Sequence, residues 1–404
     1  MFRRIAGYDT GLWVAVFALL AISIYVLMTG ITGLHGDLDR SFGQRQIVFS
    51  VLGIVGAVMI SRIEMGIFSR YWLGLYTACL ASIAVVYLLG TVIRGSRRWI
   101  ELGPVNIQPS ETGKVLVILA IAGFLTTRSR DLQSRTTFVV TLGMAALPAA
   151  LVFMQPDFGT AQVYGYIGLA MAFFAGARWL HLATLGGVVA LVIVLVLALL
   201  PAIGVHVLHD FQTQRLTGFL NPEDDPQGAN YQAIQAKIAI GSGRLTGKPA
   251  GEASQVQQAF LPEPQTDFIF ATLSERHGFV GGATVLLLYM LLVSRCLRAV
   301  AVAPTLYGRL VCGSIATMFA AQVFTNVGMV VGLMPITGVP LPLVSYGGSA
   351  MLANLAAVGI VAGVLRQSET ATVRYARRVG PTAASHMLSL RPTGRRRANR
   401  VPVP

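Results

Sequence analysis

Charge is what this chain has least of. Asp, Glu, Lys and Arg together supply only 12% of its 404 residues, whereas hydrophobic residues reach 54%. Soluble domains carry about a quarter charged residues, so that balance excludes a water-soluble globular protein. Lysine is scarcer still, with Lys114, Lys237 and Lys248 as the whole complement. The three cysteines, Cys79, Cys296 and Cys312, are far apart and fall in or beside apolar runs, which supports neither a disulfide framework nor a zinc site. His206 and His209 beside Asp210 come nearest to a metal-ligand pair, but a loop pair of this kind is more often solvated than liganded. No small-residue cleavage site follows the first apolar run, which is itself too long for a signal peptide. Met1-Phe2-Arg3-Arg4 therefore opens a retained anchor.

What the chain does have is long apolar stretches. A hydrocarbon core of ~30 Å takes about 20 helical residues to cross. Such runs lie at 12–31, 46–62, 71–93, 113–127, 137–154, 158–176, 179–204, 279–300, 309–333 and 350–366. The expectation is an all-α, polytopic integral membrane protein of about ten transmembrane helices. Residues 1–366 form the membrane domain, with a large exterior loop at 205–278 between helices 7 and 8. Residues 367–404 form a basic, disordered cytoplasmic tail.

Orientation follows from arginine. Arg3, Arg4, Arg62, Arg70, Arg128, Arg130, Arg135, Arg178, Arg295, Arg298, Arg309 and the tail after Arg366 all fall on one side if the spans alternate. That side is the cytoplasm, and both termini lie there. Arg94, Arg97 and Arg98 land outside, where a basic cluster suggests an anionic ligand. The net charge of +14 owes much to the tail. No folded nucleic-acid module accompanies it, so the basic tail reads as attraction to the anionic inner leaflet, not nucleic-acid binding.

The exterior connections are the long ones, 94–112 and 205–278, and a loop beyond about 15 residues is usually functional or disordered. Asn230 to Ile240 has apolar residues at helical spacing, which predicts an amphipathic helix, either at the outer interface or packed on the bundle with no ligand. It carries Lys237. Four polar clusters share the exterior side: Gln108-Pro109-Ser110-Glu111-Thr112-Gly113-Lys114, Gln155-Pro156-Asp157, Leu261 to Ala271, and Leu341 to Ser349. In each, Pro or Gly breaks the backbone at membrane depth, which is tolerated only where protein or a water-filled cavity covers it. Ionisable residues there are costly and favour a function. Each also has a plainer reading. Thr266 or Asp267 can cap the helix that follows, Asp157 can do the same, and Glu111 with Lys114 three residues on can form a structural ion pair. The functional reading gathers Glu111, Asp157 and Asp267 with Lys114, Arg97 and Arg98 around a charged substrate.

These motifs carry a resemblance. Arg98-Trp99-Ile100, Gln108-Pro109-Ser110-Glu111 with Lys114, Gln155 to Ala161, Gly241-Ser242-Gly243, Leu261-Pro262-Glu263, Thr266 to Ala271 and Pro340 to Ser349 resemble the SEDS family of cell-wall polymerases. Phe219 to Glu223, Asp225-Pro226 and Gly228 resemble its elongation (RodA) branch more than its division (FtsW) branch. Gln265, where the family usually has His, and Arg276, where it has an acid, are departures. The resemblance implies a peptidoglycan glycosyltransferase that polymerises lipid II into β-1,4 glycan at the outer face of the bacterial plasma membrane. Asp267 would be the catalytic base. Arg98, Trp99, Glu111, Lys114, Asp157, Lys237 and Ser345 would bind substrate. A divalent cation such as Mg could assist at the diphosphate, although the sequence shows no dedicated cage. Lacking a Ser-x-x-Lys nucleophile, the chain would rely on a class B penicillin-binding protein for cross-linking, beside other membrane proteins of the elongation complex. A flippase of the same lipid-linked precursor is the rival reading.

Overall fold

The computed structural model describes residues 9–29, 40–93, 96–102, 105–195, 201, 231–249, 261 and 263–379. His206, His209, the motif at 219–228 and about half of the 205–278 loop lie outside the described residues. So do residues 380–404 of the tail.

Every apolar run contains a helix among its described residues: α1 Thr10–Thr29, α2 Ser41–Arg62, α4 Trp72–Leu89, α5 Pro109–Thr127, α6 Arg135–Phe153, α7 Phe158–Phe174 and α8 Trp179–Val194. After the large loop come α10 Ile269–Val302, α11 Leu306–Val331 and α12 Gly348–Val379. Two shorter helices are also present among the described residues, α3 Met65–Arg70 and α9 Tyr231–Ser242. Among the described residues, eight helices are long and apolar enough to cross a membrane. Of the other two expected spans, α7 has 17 residues and α8 holds a shorter apolar stretch, Trp179–Val192.

Three features refine the sequence expectation. The described residues of the connection at 94–112 are not irregular: β1 Thr91–Ile93, β2 Ser96–Leu102 and β3 Val105–Ile107 form a small antiparallel sheet in the order β1-β2-β3. Cross-strand hydrogen bonds satisfy backbone groups that a bare loop would leave open. The helix predicted at 230–240 is present as α9, and of its two readings it takes the packed one: it lies on α10 and α11 and buries Ala236 and Ala239. Finally, α12 continues through Val379, past residue 366 where the sequence reading begins the tail.

At the centre stand α5, α11 and α12, whose apolar windows are 67–78% buried within the protein. By contrast, α2 and α4 turn Val48, Val51, Leu52, Val55, Leu73, Leu88 and Leu89 outward, as lipid-facing helices do. Bundles in lipid gain little from apolar burial between helices and rely on close backbone approach. The α2–α12 crossing follows that rule. Gly53, Ala57 and Ser61 sit at four-residue intervals opposite Leu355, Gly359 and Gly363.

Candidate active site

Asp267 lies in the turn that leads into α10, one residue before the helix N-cap. Phe268 occupies the cap position and no side chain caps the helix there, so capping does not account for Asp267. The aspartate is half-buried. Its turn is fastened from two sides. Asn326, a polar residue inside the apolar α11, donates from Nδ2 to the carbonyls of Asp267 (2.9 Å) and Val339 (2.8 Å). Ser345 donates its hydroxyl to the carbonyl of Thr266 at 2.6 Å, and the amide of Tyr346 donates to the carbonyl of Gln265 at 2.9 Å. Gly338, at φ 73°, presents no side chain toward Asp267, and a Cβ built there would stand 3.4 Å from Oδ2. Only glycine holds that backbone conformation without strain.

The segment that does the fastening is an irregular run of backbone, and its polar groups are met by buried partners. Ser23 of α1 donates to the Val344 carbonyl at 2.7 Å. Gln46 of α2 donates from Nε2 to the Ser345 carbonyl at 3.1 Å, and Tyr289 of α10 donates to the Pro342 carbonyl. The Leu341 amide donates to Ser345 Oγ at 2.8 Å. Buried backbone without such partners would cost several kcal/mol per group in order of magnitude. Asp267 therefore stands on a turn held by four helices.

A second polar group forms around Asp157. Its Oδ1 accepts from the Thr160 amide at 3.1 Å, which caps α7 as the plainer reading expects. The other oxygen, Oδ2, accepts from Gln108 Nε2 at 2.9 Å and faces Arg98 at 3.4 Å. The middle strand β2 delivers Arg98 to that position; its neighbour Trp99 is half-buried and pairs with Thr91 across the sheet. Glu111 and Lys114 on the first turns of α5 form a closed pair. Lys114 Nζ donates to both carboxylate oxygens at 2.8 and 2.9 Å, and its side chain is 2% exposed.

The segment between α11 and α12 joins the two groups. At one end, Gly159 of α7 packs so closely on the Thr337 carbonyl that no Cβ would fit. At the other, Ser349 at the start of α12 accepts from the Gln108 amide at 2.9 Å and donates to the Asn106 carbonyl at 3.2 Å. Lys237 of α9 is exposed, and its ammonium end lies over Gly332, the left-handed C-cap of α11. The negative end of a helix dipole favours a cation at that place.

Each predicted site residue thus has a definite place. Asp267 and Ser345 come together, as do Arg98 and Asp157. Glu111 and Lys114 face each other, and Lys237 sits apart on α9. Asn326, Gln46, Ser23 and Gln108 do not figure among the predicted site residues. Asn326 and Gln46 carry the signal that would find them, a polar amide inside an apolar span. Among the described residues no three His, Cys, Asp or Glu side chains gather to hold a metal ion.

The FtsW/RodA/SpoVE family model, described as a cell cycle protein, matches residues 10–370. The peptidoglycan glycosyltransferase MrdB of Escherichia coli K12 is 38% identical over 358 residues, which cover 88% of this chain and 93% of that protein. A chain from a structure described as the coordination of polymerization and crosslinking by a peptidoglycan synthase complex superposes with a TM-score of 0.74. It is 32% identical and matches across 90% of this chain and 99% of its own. The rod shape determining protein RodA of Thermus thermophilus superposes with a TM-score of 0.66, at 29% identity, over 90% of this chain and 98% of its own.

Proposed function

We propose that this chain, which belongs to the FtsW/RodA/SpoVE family of cell cycle proteins, is a peptidoglycan glycosyltransferase that polymerises lipid II for cell elongation. The observation that carries the reading is the placement of Asp267, half-buried on a turn braced by Asn326 and Ser345 rather than used as a helix cap.

The chemistry is an inverting displacement. The 4-hydroxyl oxygen of an acceptor GlcNAc forms a bond to the anomeric carbon of a donor MurNAc while the bond from that carbon to the diphosphate breaks. The hydroxyl proton passes to the Asp267 carboxylate, and undecaprenyl diphosphate leaves with the bonding electrons. A base must be fixed within hydrogen-bond reach of the proton it takes, and a rigid turn meets that need. Arg98 and Lys114 are the cations that would steady the diphosphate, with Asp157 and Glu111 orienting them. For Lys114 this requires the closed pair with Glu111 to open or to act through its field. Trp99, Lys237 and Ser345 complete the assignment, Ser345 by holding the turn. Among the described residues no group of three His, Cys, Asp or Glu side chains is placed to hold a divalent cation.

The active-site end faces outward and both termini face the cytoplasm, as the arginine distribution supports. A class B penicillin-binding protein would cross-link the glycan. Glycan synthesis from labelled lipid II by the purified chain in detergent tests the reading, because no membrane remains to be crossed. A flippase would make no polymer there, and a preparation that makes none with its partner present would overturn the assignment.

A further inference from the structure

At the other ends of α5 and α7 the molecule has a second polar concavity. The turns 128–134 and 175–178 enclose an open hollow of about 710 Å³. Because α5 has 19 residues and α7 has 17, the hollow lies about 25–28 Å along those helices from Glu111 and Asp157, at 1.5 Å per residue. It belongs to the opposite face of the bundle from the polymerisation site.

Arg130, Arg135 and Arg178 line it, and Asp131 is the one acidic residue among the lining side chains. The three arginines are exposed, and none forms an ion pair with a described residue. His181, also in the lining, is 8% exposed, and its Nδ1 is buried with no hydrogen-bond partner. A buried ring nitrogen without a partner is costly unless something supplied from outside completes it. Two helix N-termini open here as well. Ser134 caps α6, but no side chain caps α8, which begins just after Arg178. Positive helix ends and guanidinium forks together form a phosphate-binding environment. The residues beside it are apolar and exposed: Phe173, Trp179 and Leu180 stand 62–79% open. A Trp at the head-group level of a membrane interface is an anchor.

We propose that this hollow binds the phosphate head group of an anionic phospholipid from the leaflet opposite the polymerisation site. Arg130, Arg135 and Arg178 hold the phosphate, a turn of the His181 ring brings its Nδ1 out to complete the hydrogen bonds, and the acyl chains run along Phe173, Trp179 and Leu180. A basic loop that only sets orientation needs neither a hollow nor a buried unpartnered imidazole.

The test uses the full chain, purified in neutral detergent, stripped of lipid and titrated with dihexanoyl phosphatidylglycerol, dihexanoyl phosphatidylcholine or inorganic phosphate, with bound ligand counted by native mass spectrometry. Phosphatidylglycerol is expected to bind at least tenfold more tightly than phosphatidylcholine. Arg130→Gln with Arg178→Gln is expected to erase that preference, and Asp131→Asn to strengthen phosphatidylglycerol binding severalfold. Asp267→Asn should bind it unchanged, which keeps this site's failure distinct from that of the catalytic assignment. Equal binding of the two lipids overturns the proposal, as does inorganic phosphate binding as tightly as phosphatidylglycerol. Should the double variant not fold, Asp131→Asn decides, since unchanged binding in that variant would also overturn it.

Discussion

At the scale of single residues, the sharpest contrast is between two acids that sequence alone treats alike. Both Asp157 and Asp267 stand near helix starts in apolar surroundings. Asp157 is consumed by its position, with one oxygen capping α7 and the other shared by Gln108 and Arg98. Asp267 precedes its helix without capping it. Asp267→Asn preserves shape and is expected to lower the polymerisation rate by about 10²–10⁴-fold, the usual worth of a general base. Thermal unfolding should stay unchanged, and a loss under tenfold would remove Asp267 from the role. Lys114 poses the opposite question, because its pair with Glu111 is closed and buried. Lys114→Met alone leaves an uncompensated carboxylate and should cost about 3–5 kcal/mol, while the double change Lys114→Met with Glu111→Leu should restore most of that. If the double variant regains stability but not polymerisation, the pair serves the reaction and not the fold alone. If it regains both, the pair is structural. The type of residue at each site was legible in the sequence. What each is bound to was not, because the partners lie far away in the chain: Asn326 is 59 residues from Asp267, and Ser349 is 241 from Gln108.

Secondary elements were legible in proportion to their apolar length. Each of the ten runs holds a helix among its described residues, and the run read from 279 begins just after Gly278, where α10 departs from helical geometry. Missed were the short strands at 91–107, whose runs of three to seven residues with Arg, Gly and Pro nearby give no clear period-2 pattern. Missed too was the close packing of α2 on α12, although small residues at four-residue spacing announce it. A direct comparison probes that packing. A Cβ on Gly359 would press against the backbone of Ala57, whereas one on Gly56 would meet nothing within 4 Å. Gly56→Ala should therefore be neutral or stabilise by up to ~1 kcal/mol through helix propensity. Gly359→Ala should destabilise, because backbone has to move to admit the methyl group. Thermal denaturation of the two variants in one detergent gives the answer, and equal midpoints would show that the crossing is looser than described.

For the whole molecule, the fold class followed from composition, and the arginine pattern led to an orientation that the fold makes testable. Glu101 and Gln133 are exposed near opposite ends of α5, so cysteines placed there one at a time, with the three buried native cysteines removed, should label from opposite sides of intact cells. Glu101→Cys should react with an impermeant reagent and Gln133→Cys should not. The reverse result would turn the active-site end toward the cytoplasm, away from any cross-linking partner. With the outward arrangement, the glycan would emerge on the side where the proposed cross-linking partner has to act. The segment such a partner would meet, at 205–278, runs into α9 and into the turn bearing Asp267. In the described part, α9 packs on both α10 and α11, the helices that carry and brace that turn. A partner that contacts this region differently in two arrangements would shift their populations, and only such differential contact could change the rate. Adding the cognate transpeptidase to the purified chain is therefore expected to raise lipid II polymerisation severalfold, and the gain should be absent in Asp267→Asn. A stably bound partner that leaves the rate untouched would reject coupling through this region and leave the catalytic assignment standing.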